Sequence, residues 1–150
     1  MDQNINTRTF SFFKAPISNC TPKKDMTLED AYDHIRRSSY GQTIKLRTLE
    51  EKDAARAYKS SKFDFCTFSG VFTYRDEQHF VRHSGLLCLD FDHLDDIEGH
   101  FKALSQDPRC PTALLFRSPS GDGLKWVVPI DVSVMSHEEW FDALAAYVKD

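Results

Sequence analysis

LLCLDFDHLDD, residues 86–96, decides the fold: an oily run ends in two aspartates one residue apart, with two more close behind. A strand buried on both faces reads as a continuous apolar run, so Leu86 to Leu89 is expected as the central strand of a covered sheet. Side chains alternate along a strand, so Asp90 and Asp92 point the same way, roughly 7 Å apart along the chain. Two carboxylates on one face repel unless a proton or a cation sits between them. Hard oxygen ligands at that spacing suit Mg²⁺ or Mn²⁺. The other reading is a solvated loop where the strand emerges.

The rest of the chain alternates between the two element types. RTFSFFKAPI (8–17) reads as a strand, and TLEDAYDHIRRSS (27–39) as a helix opened by a Thr27/Asp30 capping box. IKLR (44–47) reads as short and extended, and TLEEKDAARAYK (48–59) as a helix with a Thr48/Glu51 box. FDFCTFSGVFTYR (63–75) is β-rich with a break at Ser69–Gly70. After LLCLDF come a helix over 95–107, the strand TALLFRS, the turn PSGDG, the strand LKWVVPI and a helix opened by Ser136/Glu139. From residue 86 the order is strand, helix, strand, strand, helix. A split β-α-β fold of the ferredoxin type needs one more strand, so the chain reads as an N-terminal piece of a longer protein.

Composition sets bounds. The chain has 150 residues, 41% hydrophobic and 28% charged, as an ordinary globular domain does. No apolar run reaches membrane-spanning length, and MDQNINTRTF lacks the pattern of a secretory signal. Cys20, Cys66, Cys88 and Cys110 are scattered without a CxxC pair, which argues against a zinc knuckle and fits reduced thiols in a cytoplasm. Residues 1–75 carry 13 Lys/Arg against 9 Asp/Glu, and residues 76–150 carry 6 against 14. A basic half beside an acidic half could hold a polyanion against a metal site, or solubilising charge simply fell unevenly.

FRSPSGDGLKWVVPID (116–131) is the second informative stretch. Ser118, Ser120, Gly121 and Gly123 lie in a turn between two apolar strands, where backbone N–H groups and hydroxyls could converge on an anion. Lys125 opens the next strand, within reach of a phosphate there. From these residues alone the favoured reading is a plain hairpin loop with a solvated lysine. Arg117, beside the turn, is a phosphate contact or a rim salt bridge.

An apolar strand ending in Asp-x-Asp, then a helix, then a strand–SGDGLK–strand hairpin resembles the archaeo-eukaryotic primase superfamily, the primase-polymerases. TFSGVFTYR (67–75), HSGLLCLDFD (83–92), SPSGDGLKWVVPI and the TLEDAYDHIRR…IKLR opening look like its VirE N-terminal-like family, found at the head of primase–helicase proteins of bacterial mobile elements. The resemblance implies an α/β (α+β) primase-like fold, with a basic N-terminal α/β lobe over 1–82 and an incomplete RRM-like split β-α-β catalytic lobe over 83–150. It implies that Asp90 and Asp92 hold the catalytic Mg²⁺ or Mn²⁺, and that Ser118, Ser120, Gly121, Gly123, Lys125 and Arg117 meet the phosphates of a nucleoside triphosphate. Lys125 stands where many members have histidine, and the family's third carboxylate comes from a later strand.

The implied activity is metal-dependent nucleotidyl transfer on a single-stranded DNA template in mobile-element replication, with a helicase or other replication domain following in the longer protein. Arg36, Arg37, Lys45 and Lys59 of the basic lobe are the expected nucleic-acid contacts. Two rivals stand beside this reading. One is a non-catalytic primase-like module that binds nucleic acid. The other is a phosphohydrolase of the haloacid dehalogenase type, whose Asp-x-Asp is normally followed two residues later by Thr or Val, here Leu94.

Overall fold

Three small antiparallel sheets and five α-helices make up the computed structural model, a mixed α/β arrangement that describes residues 4–38 and 40–149. The first sheet has the order β2-β1-β3, from β1 (Thr9–Phe13), β2 (Lys24–Thr27) and β3 (Phe65–Thr67). The second pairs β4 (Gly70–Phe72) with β5 (Phe80–His83). The third has the order β6-β8-β7, from β6 (Leu86–Phe91), β7 (Leu114–Arg117) and β8 (Leu124–Pro129).

Local chemistry places the helices. Thr27 Oγ1 accepts from the Asp30 N–H at 3.2 Å and Asp30 Oδ2 accepts from the Thr27 N–H at 3.1 Å, which starts α1 (Leu28–Asp33). A π-helical turn, His34–Ser38, continues it, and Ser39, at the end of the expected helix, lies outside the described residues. Asp96 caps α4 (Ile97–Ser105) through the Gly99 N–H. Ser136 and Glu139 exchange the reciprocal bonds that open α5 (His137–Lys149).

Four expectations change. IKLR is helical: it is the end of α2 (Tyr40–Arg47), in which only Leu46 is buried while Ile44 faces outward. Two apolar residues spaced by two carry no period that separates strand from helix in so short a window. Thr48 does not cap α3 (Lys52–Lys62); its hydroxyl donates to the Lys45 carbonyl at 2.7 Å, and Glu51 caps the helix through the N–H groups of Asp53 and Ala54. The strands β2 and β5 have no clear apolar alternation and were not legible. Finally, β6 is an edge strand among the described residues, and β8 is the central one.

The reason for that last correction is geometric. An apolar run reports what covers the two faces of a sheet, whereas edge or centre is settled in the sheet plane by backbone pairing. Coverage on both faces is real here. Leu86, Val127 and Leu114 pack against Phe10, Phe12, Met26, Leu28 and Ala31 of the N-terminal elements. On the opposite face Leu87, Leu89, Trp126 and Val128 pack against Leu104 of α4 and Leu144 of α5. Trp126 is fully buried, and its indole N–H donates to Thr112 Oγ1 at 2.8 Å, so neither its area nor its donor is left unmet.

Candidate active site

Register brings the two singled-out stretches together. In the β6–β8 ladder Asp90 faces Lys125, and in the β7–β8 ladder Phe116 faces Lys125. Opposed residues share a face, so Cys88, Asp90, Phe116 and Lys125 line the side of the sheet turned to the N-terminal elements. A cavity of about 530 Å³ lies there, walled on the other side by residues such as Phe12, His34, Thr43, Arg47, Asp64 and Cys66.

Lys125 Nζ donates to Asp90 Oδ1 at 2.9 Å. Asp92 lies just past the end of β6 and is exposed, and its Oδ1 comes within 3.4 Å of where a β-carbon on Gly123 would stand. That carbon would also sit 2.4 Å from the Phe91 carbonyl oxygen, so only glycine lets the turn approach the end of β6 this closely.

The turn is held from three sides. Within it, the Ser118 N–H donates to the Gly123 carbonyl at 2.9 Å and the Gly121 N–H to the Ser118 carbonyl at 3.0 Å. Gly121 has φ of +93°, the left-handed region that favours glycine. On the β6–α4 side, His93 Nδ1 lies 2.9 Å from Asp122 Oδ2, and the Leu94 N–H donates to the Asp122 carbonyl at 2.8 Å. From α2, Arg47 donates to the Pro119 carbonyl through Nε at 3.1 Å and to the Ser118 carbonyl through Nη2 at 3.3 Å.

Arg47 is the residue the sequence reading missed. It had no motif around it, and the short stretch holding it was read as extended; no local signal marks a contact 72 residues away. The N–H of Gly121, expected to face a phosphate, closes the turn instead. Ser118 is buried with its hydroxyl 3.4 Å from that of Ser120, which is exposed. Arg117 lines the cavity. Arg36, Arg37, Lys45 and Lys59 are all exposed and spread over the π-helical turn, α2 and α3, outside the cavity lining. Arg36 rests on Tyr32, its guanidinium 5.4 Å from the ring centre.

The cavity is a low-dielectric place for charge. Burial first, then the Asp64 charge, pushes the Cys66 thiol up to about 12; burial first, then Asp90, pushes Cys88 up to about 12. Both thiols therefore stay protonated and inert at neutral pH. Among the described residues no group of three His, Cys, Asp or Glu side chains is arranged to hold a metal ion. No described helix is long and apolar enough to cross a membrane.

Comparison with known proteins gives one positive result: residues 57–149 match the model of the BT4734-like, N-terminal domain family. That segment runs from within α3 through α5 and contains Asp90, Asp92, the turn and Lys125. No curated protein and no solved structure matches significantly.

Proposed function

The chain belongs to the BT4734-like N-terminal domain family, and from its own residues we propose that its cleft binds a metal-bound nucleoside triphosphate for nucleotidyl transfer on single-stranded DNA. The observation that carries this reading is the placement of Asp90 and Lys125 side by side on the cleft floor, with Arg47, Arg117 and the 118–123 turn at its edge. The likeness of the Asp-x-Asp strand and SGDGLK hairpin to the primase-polymerases supplies the reaction class, and with it the primase-like fold and an RRM-like catalytic lobe.

The donor set suits an ion that arrives with its nucleotide. Mg²⁺ is commonly held by one or two carboxylates together with substrate phosphates and water. Asp90 gives Oδ1 to Lys125, which leaves Oδ2 for a cation, and Asp92 stands two residues along. When bound, such an ion supplies Lewis-acid stabilisation of phosphoryl oxygens. The residues do the rest. Asp90 and Asp92 position the cation, Lys125 and Arg117 balance the triphosphate charge, and Arg47 holds the turn so that its remaining donors stay aimed. Arg36, Arg37, Lys45 and Lys59 would track the template backbone as point charges. A helicase or other replication domain in the same protein would use the product.

Calorimetry of the chain with a nucleoside triphosphate and Mg²⁺ or Mn²⁺ tests binding, and incorporation of labelled nucleotide on single-stranded DNA tests chemistry. No binding at millimolar nucleotide with either ion would sink the proposal. A second reading, a non-catalytic module, draws on the Lys125–Asp90 ion pair, which neutralises a carboxylate the reaction needs. Its signature would be metal-dependent nucleotide binding without incorporation.

A further inference from the structure

The first and last residues of α2, Tyr40 and Arg47, both line the cavity. Seven steps of about 100° bring a helical side chain back to within about 20° of its starting direction. At about 1.5 Å per residue the same seven steps span about 10 Å along the axis. One face of α2 therefore works as a ruler. Arg47 marks one end, where it holds the 118–123 turn through the Pro119 and Ser118 carbonyls. Tyr40 marks the other end, and it is 62% exposed.

The cavity has other rings, but each phenylalanine that lines it is engaged with a neighbour. Phe65 stacks on Phe13 with ring centres 4.9 Å apart and planes 1° from parallel. Phe68 sits between Phe10, at 4.9 Å, and Phe116, at 6.4 Å. Phe12 meets His34 at 5.0 Å, and Phe63 meets Tyr58 at 6.3 Å. Among the described phenylalanines and tyrosines of the lining, only Tyr40 meets no other ring and no cation, and its hydroxyl has no hydrogen-bond partner. Single exposed apolar residues are ordinary. What sets Tyr40 apart is its place on a cavity of about 530 Å³ that also holds Arg117 and Lys125.

We propose that Tyr40 is the stacking platform for the nucleobase of a nucleoside triphosphate whose phosphates lie at Lys125 and Arg117. This rests on the nucleotide reading above and adds what that reading lacks, a contact to the base. An outstretched nucleoside triphosphate is comparable in length to the span of α2 between Tyr40 and Arg47. A ring face accepts any base, because every base has a π-face of its own. Purines and pyrimidines are therefore taken alike, as a reaction directed by a template requires.

The test compares inorganic tripolyphosphate with ATP, GTP, CTP and UTP, each with Mg²⁺, by calorimetry on the full chain. Wild type is expected to bind all four nucleotides about tenfold more tightly than tripolyphosphate, a factor within the range for one base–aromatic stack. Tyr40→Ala should erase that preference while tripolyphosphate binding stays unchanged, and the exposed position means the thermal midpoint should hold. Tyr40→Phe keeps the ring face and should keep the preference; its loss there would assign the effect to the hydroxyl and overturn stacking. A preference unchanged in Tyr40→Ala, or wild type binding tripolyphosphate as tightly as every nucleotide, overturns the inference while leaving phosphate binding intact. If Tyr40→Ala weakens only the binding of a single-stranded oligonucleotide, the ring belongs to the template and the inference falls. Failure of wild type to bind any of the five overturns the nucleotide reading itself.

Discussion

Lys125 and Asp90 sit directly opposite each other on β8 and β6, with Nζ 2.9 Å from Oδ1, so the cation proposed for phosphate and a carboxylate proposed for metal are ion-pair partners. The pair is half open to water, at 30% and 56% exposure, and such pairs contribute about 0–1 kcal/mol. Lys125→Ala is therefore expected to lower stability by less than about 1 kcal/mol in urea unfolding. The same change should weaken nucleoside triphosphate binding by about 1.5–3 kcal/mol, the range for hydrogen bonds to charged groups. Lys125→His should keep binding within a few-fold, and binding unchanged in Lys125→Ala would leave the hairpin as a plain turn.

The aspartates yield a second expectation. Two like charges on one strand face would normally make their neutralisation stabilising. Asp90 is already balanced by Lys125, so Asp90→Asn should bring little or no gain in thermal midpoint without metal. With nucleotide and Mn²⁺ present, Asp90→Asn/Asp92→Asn should abolish the enhancement of water relaxation that bound Mn²⁺ produces. Equal enhancement in wild type and double variant would remove these residues from the metal proposal.

Gly123 offers a purely structural check. Its missing β-carbon would lie 2.4 Å from the Phe91 carbonyl oxygen, so Gly123→Ala must push the turn off the end of β6. A destabilisation of about 1–3 kcal/mol is expected, the cost of forcing extra volume into a packed place. Gly41→Ala, where nothing stands within 4 Å, is the control and should be neutral or slightly stabilising because it lies in a helix. Matching unfolding midpoints for the two variants would contradict the close approach.

A histidine pair predicts the pH response. The Gly85 N–H donates to His83 Nδ1 at 2.8 Å, so the proton of a neutral His83 sits on Nε2, which lies 2.9 Å from His137 Nδ1. Adding a proton to His83 Nδ1 spoils the bond from the Gly85 N–H. Of the carboxylates that could relieve an imidazolium, Asp131 is engaged with Ser133 and Glu139 with the Ser136 N–H, while Arg82 and Arg8 are cations, held by Thr9 and Asp25 and by the Gly85 carbonyl, and would oppose the added charge. Glu138, also in the first turn of α5, is the remaining carboxylate nearby in sequence.

Burial first, then His137, holds His83 below its ordinary value, and burial does the same to His34. The folded state then binds fewer protons than the unfolded one. Stability should be full above about pH 6.5 and fall as pH drops below that value, the ordinary histidine pKa. The lowered carboxylates Asp76, Asp107 and Asp131 act only nearer pH 4. Thermal midpoints between pH 7.5 and 5 therefore isolate the histidines, and His83→Gln should flatten part of the slope. A midpoint that rises toward pH 5 would mean the wrong sign.

How much of this was legible without coordinates follows from the range of each interaction. The capping boxes at Thr27/Asp30 and Ser136/Glu139 close over three residues, so the sequence contains both partners and the helix starts came out correctly. The double coverage of β6 was likewise written in consecutive apolar residues. The Thr48/Glu51 box looked just as good locally and failed because Thr48 met the end of α2 before it could open α3.

What tertiary structure alone decided is everything that depends on partners far along the chain. In-plane pairing made β8 the central strand and set Asp90 against Lys125, 35 residues apart. Packing of α2 beside the turn brought Arg47 to Ser118 and Pro119, and packing of the π-helical turn against β1 and β3 set His34 against Asp64. The sequence by itself determined which residues could carry charge and where α1 and α5 begin, because those are properties of single residues and of near neighbours. Which charges meet is settled only when burial of the two oily faces of the β6–β8–β7 sheet fixes the elements around it, since no local term favours one distant partner over another.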